Sequence, residues 1–114
     1  MNAIHITSGN TITELPFNLD VSKIHTYLHT SKKNNVTCMD LPCLSSLGYP
    51  NARIYCLKNV PLSPINAKAT KVYRIGIKNT TLNIKGDAII TNIANENQLD
   101  NLCEKYLQLI KQHK

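Results

Sequence analysis

The sequence predicts an α+β domain: a mostly antiparallel sheet of about five strands with two main helices, the C-terminal one packed on the sheet. Three observations carry this prediction. The chain opens with two short β-branched runs separated by a tight-turn tripeptide, which is the pattern of a hairpin. It closes with apolar residues at helical spacing over four turns. Its 114 residues, 42% of them apolar, provide one hydrophobic core and hardly two, so residues 1–114 form a single domain.

In residues 2–7 (NAIHIT), Ile4 and Ile6 fall on one face and His5 and Thr7 on the other, the period-two mark of a half-buried strand. Ser8-Gly9-Asn10 reads as a turn, and residues 11–15 (TITEL) as the returning strand. From Leu19 the spacing becomes helical, with Val21, Ile24 and Leu28 on one stripe. Asn18 or Asp20 is placed to cap a helix of about three turns that ends near the polar stretch 31–35.

Residues 36–39 (VTCM) suit a short strand, and Pro42, Gly48 and Pro50 make 40–51 an irregular connection. Residues 53–57 (RIYCL) carry apolar side chains on both faces, as an interior strand does. Pro61 and Pro64 break the next stretch, and one helical turn is expected over 65–70. Residues 71–77 (KVYRIGI) and 87–93 (DAIITNI) are read as two further strands. In the last segment Leu99, Leu102, Cys103, Tyr106, Leu107 and Ile110 form the apolar stripe, with Asn95 and Gln98 as a capping pair. Early acids and late lysines complement the dipole of that helix.

The longest apolar runs are a few residues, far short of the roughly 20 a membrane span needs, so no membrane partner is expected. The N-terminus has neither the basic region nor the continuous apolar region of a secretory signal, which points to an intracellular location. In that compartment Cys38, Cys43, Cys56 and Cys103 remain thiols, and the sequons Asn35-Val36-Thr37 and Asn79-Thr80-Thr81 have no consequence. Asn, Ile and Lys supply one third of the chain; all have A+T-rich codons, which suggests a low-G+C genome such as that of a large DNA virus or a phage. That bias also tempers the net charge of +6, since it raises lysine on surfaces that bind nothing.

Among chemical constellations the sharpest is His25-x3-His29 followed by Cys38-x4-Cys43. Two imidazoles one helical turn apart and two thiolates can complete a zinc tetrahedron. The gap of eight residues and the histidine-first order differ from finger spacing, so zinc is the alternative reading and no cofactor the leading one. A cysteine nucleophile with a histidine base comes third, as no catalytic-cysteine signature surrounds any thiol. The seven carboxylates sit mostly where caps and turns want them, and the four glycines are isolated, so paired-carboxylate hydrolysis and phosphate loops have no basis.

Lys58, Lys68, Lys71, Arg74, Lys78 and Lys85 are the candidate nucleic-acid-binding residues, a phosphate-reading surface if they cluster on one face. With two arginines, no tryptophan and one phenylalanine, stacking and bidentate base readout are thin, and a solvated lysine surface is the plainer explanation. Leu109 widens the C-terminal stripe beyond what one sheet face covers, which suggests a homodimer contact through that helix or a peripheral core residue.

The Asn-x-x-Ala-Thr segment within 61–70 (PLSPINAKAT) and the Gly-Asp that opens an apolar strand in 84–90 (IKGDAII) are similar to a small domain family of unknown function found in phages, bacteria and large DNA viruses. The resemblance implies the N-terminal order of strand, turn and helix and a viral source; it brings no activity. Asn66 and Thr70 are equally suited to tying a turn, and Gly86-Asp87 to a strand-entry turn. The reading that results is a non-enzymatic binding module for nucleic acid or a protein partner.

Overall fold

The alternating N-terminal pattern produces strands β1 (Ala3–Ile6) and β2 (Ile12–Glu14), joined by the expected turn. The Thr7 N–H donates to the Thr11 carbonyl at 2.9 Å, and Asn10 takes the left-handed conformation (φ 68°) that asparagine tolerates. Three more strands follow, β3 (Val36–Asp40), β4 (Arg53–Leu57) and β5 (Ala88–Thr91). The computed structural model describes residues 2–16, 18–30, 33–77 and 80–112. Within these, one five-stranded sheet has the order β2-β1-β5-β4-β3 with every neighbouring pair antiparallel, and the fold is α+β.

Register assigns the two faces of the sheet. Ile4, Ile6, Ile54, Cys56, Ala88 and Ile90 face one side. They are covered by Cys43 and Leu44 of α2 (Pro42–Ser45), Ala69 and Val72 of α3 (Ala67–Arg74), and Leu99, Leu102 and Cys103 of α4 (Glu96–Gln112). The opposite face presents Ala3 and Ile89, closed over by Leu19, Ile24 and Leu28 from the segment holding a single 3₁₀ turn (Val21–Lys23) and the one-turn α1 (Ile24–Tyr27). Each fully buried Ile or Leu contributes on the order of 1.5–3 kcal/mol through removal from water, so both faces are needed for a domain of this size.

Four expectations change. Residues 71–77 do not form a strand; their first half lies in α3. The Asn66 side chain accepts the Ala69 N–H at 3.1 Å and starts the helix, Ala69 and Val72 turn inward at helical spacing, and Gly76 (φ 84°) follows its end. This cap and burial outweigh the β-branched local preference of the segment. The three-turn helix after Leu19 is shorter, one 3₁₀ turn and one α turn, with Val21 46% exposed rather than in the stripe. Its N-cap is Asp20, whose carboxylate accepts the Ser22 N–H at 3.0 Å. The irregular stretch 40–51 contains α2, for which Pro42 supplies the preset φ of a first helical turn. Finally, Leu107 and Ile110 leave the core stripe: α4 is 17 residues, about 25 Å long, and these two side chains of its last turns are exposed. At its start the Gln98 N–H donates to the Asn95 side chain at 2.9 Å, while the Gln98 side chain returns to the Ala94 N–H at 2.7 Å.

Candidate binding site

The family-like segments account for one corner of the molecule. Asn66, fully buried, donates through Nδ2 to the carbonyls of Ile6 and Gly86, both at 2.9 Å, while its Oδ1 caps α3. Thr70 Oγ1 accepts the Ile84 N–H at 2.9 Å, and the backbones of 64–66 and 84–86 bond each other twice. Asn66 and Thr70 therefore clamp β1, α3 and the approach to β5 together, and their polar groups are consumed in doing so.

The four zinc candidates are not brought together. His25 and Cys38 border one small depression beside Val36 and Tyr55 on the α1 face. Cys43 is buried on the other face of the sheet, its Sγ 3.8 Å from the Val72 carbonyl. His29 stands outside α1 in a left-handed conformation (φ 61°), so the one-turn spacing from His25 is lost, and its Nε2 lies 3.7 Å from Asp87 Oδ2. That carboxylate is already bonded to His5 Nε2 at 2.9 Å. Among the described residues no three His, Cys, Asp or Glu side chains converge as a metal site.

The thiols differ in environment. The hydrogen bond that the Cys43 thiol donates to Cys103, then burial, pushes Cys43 far above its ordinary range, and accepting the same bond lowers Cys103. Burial pushes Cys56 up to about 11. Cys38 is exposed on the outermost strand, across from Tyr55, whose hydroxyl is pushed up to about 12 by burial and by Cys38.

The candidate cations divide. Lys68 is neutralised by α4, pairing with Asp100 and lying 3.8 Å from Glu96, so it ties α3 to α4. Arg74 donates to the Leu82 carbonyl at 3.1 Å and to Asn83 Oδ1 at 2.7 Å, which holds the 82–83 segment against α3. Lys85 Nζ donates to the Pro61 carbonyl at 3.2 Å. Lys58 and Lys71 are exposed, and Lys78 lies outside the described residues.

Two adjoining clefts gather the remainder. The larger, about 740 Å³, lies between the β3–β4 end of the sheet and segments 58–61 and 82–85; Met39, Leu57, Val60, Leu82 and Ile84 give it an apolar lining, and Lys58 and Lys85 stand in its wall. The second, about 500 Å³, is bounded by Ile65, Lys71, Arg74 and Asn83, and Asn83 is common to both. Among the described residues, neither lining contains an Asp or a Glu. Lys71 also borders the α3–α4 groove that carries Asp100 and Glu104, so the field is least compensated at Lys58 and Lys85. Leu82 of the first lining and Ile65 of the second are exposed, as is Leu62 (99%), which follows Pro61 of the cleft wall.

Sequence reasoning found the lysines of this face and missed its walls. Pro61 and Pro64 read as a break in the pattern, and Leu82 and Asn83 carry no signal of their own, because cleft walls built from irregular backbone have no periodicity to read. No helix among the described residues is long and apolar enough to cross a membrane. No family model, no curated protein and no solved structure matches the chain, so the similarity carried by 61–70 and 84–90 rests on those residues alone.

Proposed function

We propose that this protein is a non-enzymatic binding module that holds an acidic, partly apolar segment of a protein partner on the face between Lys58 and Arg74. The observation that carries the reading is the pair of adjoining, acid-free clefts bordered by Lys58, Lys71, Arg74 and Lys85, with Leu62, Ile65 and Leu82 exposed around them. Concave apolar surface with a few convergent charges is how binding sites are built, and exposed aliphatics rimmed by cations favour a partner that offers apolar side chains and carboxylates together. Nucleic acid fits less well. Among the described residues neither cleft is lined by an aromatic ring on which a base could stack, and both arginines are engaged, Arg53 with Asp40 at 3.5 Å and Arg74 with the 82–83 segment.

The test is fluorescence anisotropy with a labelled acidic-apolar peptide and, in parallel, a labelled oligothymidylate, each across a salt series. The expected result is peptide affinity that weakens with salt and falls about tenfold or more in a Lys58→Glu/Lys85→Glu variant. A Lys105→Glu/Lys111→Glu variant makes the same change in net charge on α4 and is expected to bind as the wild type does. Equal losses in the two variants would reduce the face to non-specific charge, and tight oligothymidylate binding with no peptide binding would replace the protein partner by nucleic acid.

A second reading concerns self-association: Leu107, Leu109 and Ile110 are 36–42% exposed on the free end of α4, an apolar surface suited to a second copy. Sedimentation equilibrium with Leu107→Glu distinguishes a dimer, which the variant would dissociate, from a monomer at every concentration.

A further inference from the structure

The outermost strand β3 borders the larger cleft, and its free edge is poorly guarded. Among the described residues β3 has one neighbour, β4, and its five residues carry no proline, no lysine and one charge, Asp40, which is paired with Arg53. Proteins ordinarily protect such an edge with prolines, lysines, bulges or very short strands. The opposite edge of this sheet follows that rule, since β2 has three residues and includes Glu14.

The ladder assigns which backbone groups are free. The Lys58 N–H donates to the Asn35 carbonyl at 2.7 Å, one step beyond the Val36–Leu57 pair, so the hydrogen-bonded positions of the β3 side are 35, 37 and 39. Val36, Cys38 and Asp40 therefore turn their N–H and C=O groups outward. The same alternation sends the side chains of Thr37 and Met39 to the cleft side of the sheet, where both line the cleft, and Lys58 stands at its far end opposite Asn35.

We infer that the partner segment binds as a sixth, antiparallel strand on the β3 edge, its alternate side chains laid into the cleft: apolar residues beside Met39 and Thr37, followed by an acidic residue beside Lys58 and Lys85. Backbone groups at Val36, Cys38 and Asp40 supply affinity and the cleft supplies selectivity, as in other strand additions. Successive cleft-facing side chains of an added strand stand about 7 Å apart, so a short segment reaches from Met39 to Lys58. This inference rests on the acidic-partner reading above and adds the mode of binding.

The probe is an acetylated Thr-Val-Thr-Val-Thr-Glu-Thr-Glu peptide, compared with the same peptide N-methylated at alternate residues. Hydrogen exchange of the full-length protein followed by NMR is expected to show the Cys38 and Asp40 amides, open in the free protein, becoming protected when the peptide binds. Cys38→Pro removes an outward N–H and no ladder bond, and is expected to lower affinity about tenfold or more, whereas Cys38→Val keeps it. Should Cys38→Pro fail to fold, the N-methylated peptide and the wild-type exchange pattern still decide. Salt-sensitive binding that depends on Lys58 and Lys85 but leaves the Cys38 amide open and tolerates N-methylation overturns strand addition while sparing the binding face. No binding of either peptide overturns both.

Discussion

Replacing Asn66 by alanine removes three hydrogen bonds from one fully buried side chain. Loss of the α3 cap costs about 1 kcal/mol, in the usual range for an Asn-to-Ala change at a helix start. The two carbonyls of Ile6 and Gly86 lose their Asn66 donors, and removing one partner of a buried hydrogen bond costs about 1–3 kcal/mol each. The sum, about 3–7 kcal/mol, is a large part of the roughly 5–15 kcal/mol that holds a domain of this kind together. Urea unfolding followed by far-ultraviolet circular dichroism checks the figure: at a slope of about 2 kcal/mol per M, itself unchanged by the substitution, the midpoint is expected to fall by about 1.5–3.5 M. Asn66→Asp keeps the cap acceptor and gives up both donors, so it should be no milder than alanine. A loss below about 1 kcal/mol for Asn66→Ala would refute the claim that this residue joins β1, α3 and the approach to β5.

Three further tests follow from the same packing. At Gly76 a Cβ would stand 2.7 Å from the Tyr106 hydroxyl on a backbone with φ 84°, so Gly76→Ala should destabilise by about 1–2 kcal/mol; an unchanged urea midpoint would remove the close approach of α3 and α4 there. Cys38 alone should react with a thiol reagent in the folded protein, the buried Cys43, Cys56 and Cys103 reacting only on unfolding, and more than one fast thiol would contradict the burial. Because burial raises Cys56 from 9.0 to about 11, the unfolded chain releases that proton first; stability should be full below pH 9 and decline as pH climbs toward 11, a trend that urea midpoints at pH 7 and pH 10 would show.

The elements that could be read along the chain are those whose own pattern decides them. β1 and β2 follow from strict alternation around Ser8-Gly9-Asn10, and α4 from a stripe in which Leu99, Leu102 and Cys103 recur at helical spacing. α3 was legible only in part. Val72, Tyr73, Ile75 and Ile77 have strand preferences, and what overrides them is a set of contacts distant in sequence, from Asn66 to Ile6 and Gly86 and from Thr70 to Ile84. Single residues such as Asn66 and Gly76 mark that helix's ends, yet each is equally at home in a turn. The exposure of Leu107 and Ile110 depends on what packs against the last turns of α4, a tertiary fact with no local signature.

The candidate site divides in the same way. Charge is visible in sequence, so Lys58, Lys71, Arg74 and Lys85 could be singled out, but Lys68 looked identical to them until Glu96 and Asp100 came beside it across the α3–α4 contact. The His25, His29, Cys38 and Cys43 quartet depended on a helix continuing past Tyr27; α1 stops there, and the sheet then separates Cys38 from Cys43. The cleft beside β3 depends on the strand order, which places β3 at an edge although it lies in the middle of the chain.

The most direct test of the binding face is an NMR titration of the isotope-labelled protein with the acidic-apolar peptide, reading every backbone amide. The account predicts shifts confined to 36–40, 57–65, 71–75 and 82–85, saturating together; shifts centred on α4, or none at all at peptide concentrations in the millimolar range, would contradict it.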